Sequence, residues 1–464
     1  MRHPSILLGL LLLACGACIH SSSTPPAAGS AARFPIVVWG RWGFIDSAGA
    51  VVVAPRFAQV QEFAEGLAPV REAGHYGYID GAGQLVLPPR YGYAEPFRGG
   101  LALVQPDSTP RLLDRAGHLV PLAATYKQLE WLPSQDGGSG RWVGTLASHQ
   151  LQLLASNGRL LNPAQFERIG ELSNNRIVVT SSEPLLNVQG NSEVSAVGVL
   201  DGRGRLVVPY YRFHDISTFH EGLALVSIYQ PGNDEADHWG IIDTTGRVVA
   251  RLPAGYYFGS LQEHGFSDGL AQVNCITSGQ YPNAESYPAP IDHAGRVLFR
   301  RPSLRQLSSF HRGRAWAQDS AFEWQLLDKR GRTLNKVAIN RVLSSGRGDA
   351  PTFAGGVELV TLSNGDLAAL DSLGRVVRRL SAAATGGDNP QRQGDLVTFY
   401  DADKRQRWGF WNWRTGLLVK PRFSSISYAG YQHGLLAVVE DDRLGTSRPL
   451  GATCGGPRPQ PVPP

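Results

Sequence analysis

The chain has 464 residues, 42% of them hydrophobic and 18% charged, with 44 Lys and Arg against 39 Asp and Glu for a net charge of +5. The basic residues, nearly all arginine, are scattered along the chain, which argues against a nucleic-acid-binding stripe. With 54 Gly and 31 Pro residues, the composition predicts many turns between short strands rather than disorder.

The N-terminal segment predicts export. A short polar start precedes the apolar run Ile6 to Leu13, which is too short to span a bilayer and has the size of a signal-peptide core. The run leads into Leu-Leu-Ala-Cys ending at Cys15, which resembles the bacterial lipoprotein signal, in which a cysteine receives a diacylglyceryl group. We expect residues 1–14 to be removed and Cys15 to be lipidated. Cleavage before Cys18 and an ordinary secretory peptide are the alternatives.

The two ends of the chain flank a folded body with polar segments. Residues 15–34 are rich in Ser, Pro and Ala and predict a flexible tether. Residues 441–464 end in a Pro- and Gly-rich run and predict a disordered tail. The lipoprotein resemblance implies a membrane-anchored protein of the bacterial cell envelope. In an organism with two membranes, Gly16 in place of an aspartate favours the outer membrane.

One sequence pattern recurs along most of the chain. Its first copy opens with Trp42-Gly43-Phe44-Ile45-Asp46, continues through a glycine, three valines and a proline, and closes with Gly-Leu-Ala-x-Val. Related copies open at Tyr76, Val197, Trp239 and Trp408. Self-similarity at a nearly fixed period is the sequence signature of a repeat architecture.

An apolar-Asp-x-x-Gly step marks ten units within residues 35–440, spaced 34 to 49 residues apart. Ala155 and Asn412 replace the aspartate in two units. The eight aspartates of this step are Asp46, Asp80, Asp114, Asp201, Asp243, Asp292, Asp328 and Asp371. The chain resembles the WG-repeat family of bacterial proteins, named for the Trp-Gly pair of each unit. The resemblance implies a repeat protein and no particular activity.

Each unit predicts three short antiparallel strands. Asp46 and Gly49 fit a hairpin turn in which the carboxylate accepts backbone N–H bonds and the glycine adopts positive φ. Three strands bury too little surface alone, so successive units must stack. We expect an all-β fold of about ten three- to four-stranded antiparallel units. A propeller-like ring or rings is the preferred arrangement, with an open β superhelix as the alternative.

The aromatic residue that opens a unit predicts inter-unit core rather than a sugar-stacking platform. A residue type repeated at one phase of every unit is most simply explained by packing between units. These core residues are Trp42, Tyr76, Trp239, Trp324 and Trp408. In the cluster Arg407 to Trp413, one face of the strand already fills the core. Trp411 and Trp413 are therefore the weak candidates for stacking a ligand.

Sequence motifs indicate neither a metal nor a cofactor. The Asp-x-x-Gly step lacks the closely spaced oxygen ligands of a calcium loop, so the aspartates are predicted to cap turns. The cysteines show no Cys-x-x-Cys spacing, and whether Cys275 and Cys454 pair is left open. No zinc-protease, nucleophile-elbow, P-loop or dinucleotide-binding motif is present.

Two functions follow from these observations. The first is a lipid-anchored envelope scaffold that binds a protein, peptide or glycan, without catalysis. The second is an enzyme that acts on envelope polymers through a site built from inter-repeat loops. The longest spacings between units put Ser173 to Ser195 and Asn274 to Pro290 forward as contact loops, with neutral insertion as the alternative.

Overall fold

The computed structural model describes most of the repeat array. The described residues are 33–38, 40–46, 50–182, 196–228, 238–253, 255–258, 265–278, 285–343, 356–385, 388–401, 407–432, 435–439 and 451–453. The predicted signal peptide, Cys15, Cys18, Cys454 and nearly all of the tether lie outside them.

Strands form nine antiparallel sheets that follow one another along the chain. Sheet 1 contains β1 (Phe34–Val38), β2 (Arg41–Ile45) and β3 (Val51–Phe57). Sheet 2 contains β4 (Gln59–Val60), β5 (Leu67–Glu72), β6 (His75–Asp80) and β7 (Leu85–Tyr91). Sheet 3 contains β8 (Tyr93–Ala94), β9 (Leu101–Gln105) and β10 (Arg111–Asp114). Sheet 4 contains β11 (Gln128–Leu132), β12 (Arg141–Thr145), β13 (Leu151–Leu154), β14 (Phe166–Ser173), β15 (Arg176–Ser181), β16 (Val197–Asp201) and β17 (Leu206–Val208).

The second half of the chain continues the series. Sheet 5 contains β18 (Asp215–Ile216), β19 (Leu223–Ile228), β20 (His238–Asp243) and β21 (Val248–Arg251). Sheet 6 contains β22 (Tyr256–Tyr257), β23 (Leu270–Ser278) and β24 (Glu285–Asp292). Sheet 7 contains β25 (Leu304–Leu307), β26 (Arg314–Asp319), β27 (Trp324–Asp328), β28 (Ile339–Val342), β29 (Glu358–Leu362), β30 (Leu367–Leu370) and β31 (Val376–Leu380). A short helix, α1 (Ala382–Thr385), follows. Sheet 8 contains β32 (Asp388–Gln393), β33 (Leu396–Asp401), β34 (Arg407–Asn412) and β35 (Leu418–Phe423). Sheet 9 contains β36 (Ser425–Gln432), β37 (Leu435–Val439) and β38 (Gly451–Thr453).

The expectation of an all-β array of small antiparallel units is confirmed. Its phase differs from the predicted one, because the Gly-Leu-Ala strand pairs with the opening strand of the next unit. Leu67 pairs with Asp80 and Val70 with Gly77, so β5 joins β6 in sheet 2. Sheet 1 begins with β1 for the same reason, since β1 supplies to β2 the partner that β5 supplies to β6.

Consecutive sheets stack face to face and share apolar clusters. Phe44 of sheet 1 packs in one cluster with Val70 of sheet 2, and Tyr78 of sheet 2 packs in the next with Val104 of sheet 3. The same relation joins sheet 3 to sheet 4 and each later sheet to the next as far as sheet 8. Two further clusters lie inside the seven-stranded sheets 4 and 7, each of which spans two units. A sheet inside the stack is therefore covered on both faces, and the core is a series of interfaces.

The ends of the array meet without forming one sheet. The first strand, β1, lies against the last, β38, while their sheets stay separate. Because β38 covers residues 451–453 and pairs with β37, part of the segment predicted as a disordered tail is a strand.

The structure describes only part of the two predicted contact loops. In the first, Arg176–Ser181 form β15, while residues 183–195 lie outside the described residues; residues 279–284 of the second also lie outside them. In the second, β23 and β24 pair from Leu270 with Asp292 to Ser278 with Glu285. The extra length of that unit has therefore gone into a longer hairpin, which corrects the assignment of Asn274 and Pro290 to a loop. No helix in the described part of the chain is long and apolar enough to cross a membrane.

Candidate binding surface

The aspartate turns form the most regular polar feature of the array. In the turn at Asp243, one carboxylate oxygen accepts backbone N–H bonds from Thr245 at 2.9 Å and Arg247 at 3.1 Å. The same pair of bonds, from residues two and four positions on, occurs at Asp80, Asp114, Asp201, Asp292, Asp328 and Asp371. Asp46 accepts the bond from Ala50. The aspartates thus cap hairpin turns, as their spacing predicts.

Five of these turns carry an arginine directly after the glycine, and its guanidinium binds the capping carboxylate. Arg332 and Arg375 lie 2.7 Å from the carboxylates of Asp328 and Asp371. The remaining pairs are Arg205 with Asp201, Arg247 with Asp243, and Arg296 with Asp292. The arginine side chains are 69% to 80% exposed. Each guanidinium therefore keeps N–H donors directed to solvent.

Burial and hydrogen bonding act in opposite directions on the capping carboxylates. Partial burial alone raises the pKa of an aspartate, because it penalises the charged form. At Asp243 the bonds from Thr245 and Arg247 outweigh burial and lower the pKa to about 2. The pKa values of Asp201, Asp292, Asp328 and Asp371 are lowered by the same balance. These groups are ionised at neutral pH and are occupied by N–H donors.

Each turn rests on the outer strand of the preceding unit. The glycine that precedes the arginine has positive φ, and a Cβ there would strike that strand. A Cβ on Gly204 would lie 2.9 Å from Leu161 Cβ, and one on Gly246 would lie 2.7 Å from Val208 Cγ2. Because the turn glycines from Gly83 to Gly374 each approach the segment that leaves the previous turn, these turns follow one another in a row.

A second set of turns lies beside this row. Glu65, Glu221 and Asp268 adopt left-handed backbone angles with φ of 50° to 58°, and each precedes a glycine of positive φ. Their carboxylates accept the N–H of the equivalent glycine in the next unit, at 3.1 Å for Gly100 and 3.0 Å for Gly269. Basic side chains of the aspartate turns also contact these carboxylates. Arg115 contacts Glu65, His293 contacts Glu221 and Lys329 contacts Asp268. These contacts tie neighbouring units together.

The unit-opening aromatic residues all pack in apolar clusters, and those of Trp42, Tyr76 and Trp239 lie between two sheets. Trp239 is 8% exposed and packs edge-on to Phe258 with ring centroids 5.4 Å apart. Tyr76 is also buried. Trp42, Trp324 and Trp408 are half-buried and pack against the clusters of their own sheets.

The two tryptophans predicted to stack a ligand are instead buried. Trp411 is 1% exposed and Trp413 is 9% exposed, and both pack in the cluster between sheets 7 and 8. The Trp413 indole N–H donates to Asp395 at 3.2 Å. Phe410 fills the opposite face of β34. The prediction failed because a stacked sheet has no free face.

The cysteine and metal chemistry of the described residues is limited. Cys275 is buried, and burial raises the pKa of its thiol, partly offset by a hydrogen bond with Tyr287. Within the described ranges, no three His, Cys, Asp or Glu side chains gather in a group that could hold a metal ion.

The arginine of the aspartate turns was missed at the level of sequence. A signal for it exists, because Gly-Arg recurs in six consecutive units. The six arginines are Arg159, Arg205, Arg247, Arg296, Arg332 and Arg375. This second periodicity is hard to see in the sequence because arginine is common throughout the chain.

Known proteins resemble the chain in sequence and in fold. Residues 42–74, 76–107 and 198–229 match the family model of the WG containing repeat. No curated protein matches the chain. Similar solved structures include a crystal structure of the eukaryotic initiation factor, with TM-score 0.41, 11% identity and coverage of 81% of this chain and 89% of that chain. The crystal structure of BamB from Moraxella catarrhalis is similar with TM-score 0.30 and 15% identity, covering 67% of this chain and 93% of the BamB chain. Apo AztD from Citrobacter koseri has TM-score 0.26, 12% identity and coverage of 84% and 93%. Likenesses at this level carry no functional argument.

Proposed function

We propose that the chain, three segments of which match the WG containing repeat, is a lipid-anchored scaffold of the bacterial cell envelope that binds a protein, peptide or glycan without catalysis. The observation that carries the proposal is the row of exposed turns along stacked sheets, since repeat arrays present extended binding surfaces in this way. The sequence around Cys15 supports the anchor.

The buried carboxylates of the described residues favour binding over hydrolysis. Polymer hydrolysis of the glycosidase type needs two carboxyl groups facing one bond. Asp201, Asp328 and Glu358 are the buried acids of the described part. Each of them forms an ion pair with an arginine. The Glu358 carboxylate lies 3.0 Å from the Arg392 guanidinium, and the two side chains are only 2% and 3% exposed, respectively. Carboxylates occupied in this way are stabilisers of the fold.

The anchor is tested by substitution of the predicted lipidated residue. We expect Cys15→Ser to release the mature protein from the membrane fraction or to leave an uncleaved precursor, because serine lacks the thiol that the lipid requires. Mass spectrometry and membrane fractionation measure both results. Cys18→Ser is the matched control and should leave mass and fractionation like those of the wild type. Unchanged behaviour of Cys15→Ser would contradict the anchor.

The scaffold is tested by crosslinking in native membranes, followed by identification of what is captured. A reproducible partner protein, peptide or glycan supports binding. The purified protein should leave envelope polymers intact, and release of soluble fragments would establish the enzyme alternative instead.

A further inference from the structure

A net positive surface follows the row of aspartate turns. From the turn at 155–159 to the turn at 371–375, six consecutive turns hold nine Arg and Lys side chains against five Asp side chains. The aspartates are largely buried, whereas the arginines that pair with them are exposed. The charge presented to solvent along this row is therefore mainly that of guanidinium groups.

Three arginines in the row have no partner of their own. The side chains of Arg159, Arg203 and Arg330 are exposed, and none makes a hydrogen bond or ion pair with another described residue. Lys329, by contrast, is paired with Asp268 at 3.3 Å. The three unpaired guanidiniums lie in different units, so an anion that met all of them would have to extend along the array.

Exposed aliphatic side chains follow four of the six turns, those at 201–205, 243–247, 292–296 and 371–375. Leu206 is 43% exposed, Val249 39%, Leu298 39% and Val376 38%. These four turns therefore have a partly apolar side chain close to their arginine. A guanidinium forms paired hydrogen bonds with carboxylate or phosphate groups, and an apolar border suits the C–H faces of a sugar ring.

The surface lacks what an unpaired nucleic acid strand requires. Sequence-independent binding of single strands depends on exposed aromatic rings on which bases stack. The unit-opening rings pack in apolar clusters, and Trp411 and Trp413 are buried in such a cluster as well. The row offers charge and aliphatic contact but no set of stacked rings.

We infer that the row of turns from 155–159 to 371–375 binds an extended anionic polysaccharide, whose carboxylate or phosphate groups meet the guanidinium groups of successive units. This inference rests on the proposed binding function and names the class of ligand. The ion pairs with the turn aspartates fix the guanidinium groups of the paired arginines in position to meet the polysaccharide. The unpaired arginines supply the excess charge that attracts it.

The test uses polygalacturonate, which carries one carboxylate per sugar, and its methyl ester, which has the same backbone without the charge. We expect the wild type to bind the acid and not the ester, with affinity that falls as salt is raised. The variant Arg159→Gln/Arg203→Gln/Arg330→Gln should bind about tenfold more weakly. Its circular dichroism should match the wild type, because the three side chains are exposed and make no hydrogen bond or ion pair with another described residue.

A control variant removes the same number of charges elsewhere. Arg41, Arg305 and Lys420 are exposed and lie against none of the turn glycines, and Arg41→Gln/Arg305→Gln/Lys420→Gln should bind the polymer within twofold of the wild type. Equal weakening by both triple variants, or equal binding of acid and ester, would overturn the inference. Tighter binding of anionic lipid vesicles or single-stranded DNA than of polygalacturonate would also overturn it.

The outcome can be separated from that of the scaffold proposal. If the turn variant still captures the crosslinked partner at wild-type yield, the scaffold stands and the row is not its binding site. If crosslinking finds no partner and no polymer binds, both fail.

Discussion

At the scale of the residue, the glycine of the Trp-Gly pair is explained by a bulge in the neighbouring strand. Tyr76 of β6 pairs with Tyr91 of β7, and Tyr78 pairs with Leu87. Between these two pairs β6 advances by two residues and β7 by four, so β7 bulges opposite Gly77. A Cβ on Gly77 would lie 2.5 Å from the Leu87 carbonyl oxygen. It would also lie 2.8 Å from Pro89 N and 2.9 Å from Pro88 C, and since all three are backbone atoms, no rotamer change relieves the clash.

The substitution Gly77→Ala should therefore lower the free energy of unfolding of sheet 2 by about 2–3 kcal/mol. Gly81→Ala is the control, because a Cβ on Gly81 meets nothing within 4 Å, and it should change the free energy by less than about 0.5 kcal/mol. Hydrogen exchange of the amides in β6 and β7 measures both. Equal effects of the two variants would refute the bulge explanation.

A second prediction at this scale concerns the charge of a turn aspartate. The folded pKa of Asp243, about 2, lies below that of an unfolded aspartate, so ionised Asp243 stabilises the fold above pH 4 and this contribution is lost as pH falls toward 2. Asn412 caps the equivalent turn by accepting the N–H groups of Arg414 and Thr415, so Asp243→Asn keeps a cap and removes the charge.

We expect Asp243→Asn to be about 1 kcal/mol less stable than the wild type at pH 6, with the difference disappearing between about pH 4 and pH 2 as the wild-type carboxylate is protonated. Denaturant unfolding at a series of pH values measures it. A difference that is independent of pH would show that geometry, not charge, sets the role of Asp243.

At the scale of the element, the sequence predicted the turns well and the strand partners poorly. The turn at Asp292 is local, because five residues contain its aspartate, its donors and its positive-φ glycine. The phase of the repeat is not local. Leu67 is adjacent in sequence to the strand of one unit and pairs with the strand of the next, and a pattern that repeats has no mark of where a sheet begins. The sequence did not predict the burial of Trp411 for the same reason, because that burial depends on contacts with the neighbouring sheet 7.

The interface between sheets 5 and 6 provides the prediction at this scale. Trp239→Ala should remove the contact with Phe258 and lower local stability by about 3–5 kcal/mol. Protection from hydrogen exchange should fall in β19, β20, β23 and β24 more than in sheets 1 or 8, because a stacked array passes a loss mainly to neighbours. Val249→Ala, on the same sheet at 39% exposure, should have little effect. Uniform loosening across the array would replace the stacked picture by a single cooperative core.

At the scale of the whole molecule, repetition sets both the stability and the surface. Each sheet shares its two faces with its neighbours, and each aspartate turn rests on the strand of the unit before it. The same stacking that buries the aromatic residues therefore places the arginines in a row. A core defect and a surface defect are expected to be separable, since the Arg203 and Arg330 side chains are exposed.

The stacking also determines how two defects combine. Gly409 in sheet 8 is crowded as Gly77 is, because a Cβ on Gly409 would lie 2.6 Å from the Val419 carbonyl oxygen. Gly77→Ala and Gly409→Ala lie in sheets that share no cluster, so their losses of protection should add within about 0.5 kcal/mol. Gly43→Ala and Gly77→Ala lie in sheets 1 and 2, which share the cluster of Phe44 and Val70, and their losses should depart from the sum by about 0.5–3 kcal/mol. Sheet-by-sheet hydrogen exchange of the two double variants and their single variants measures both terms. If the distant pair coupled as strongly as the adjacent pair, stability would be a property of the whole ring and not of its interfaces.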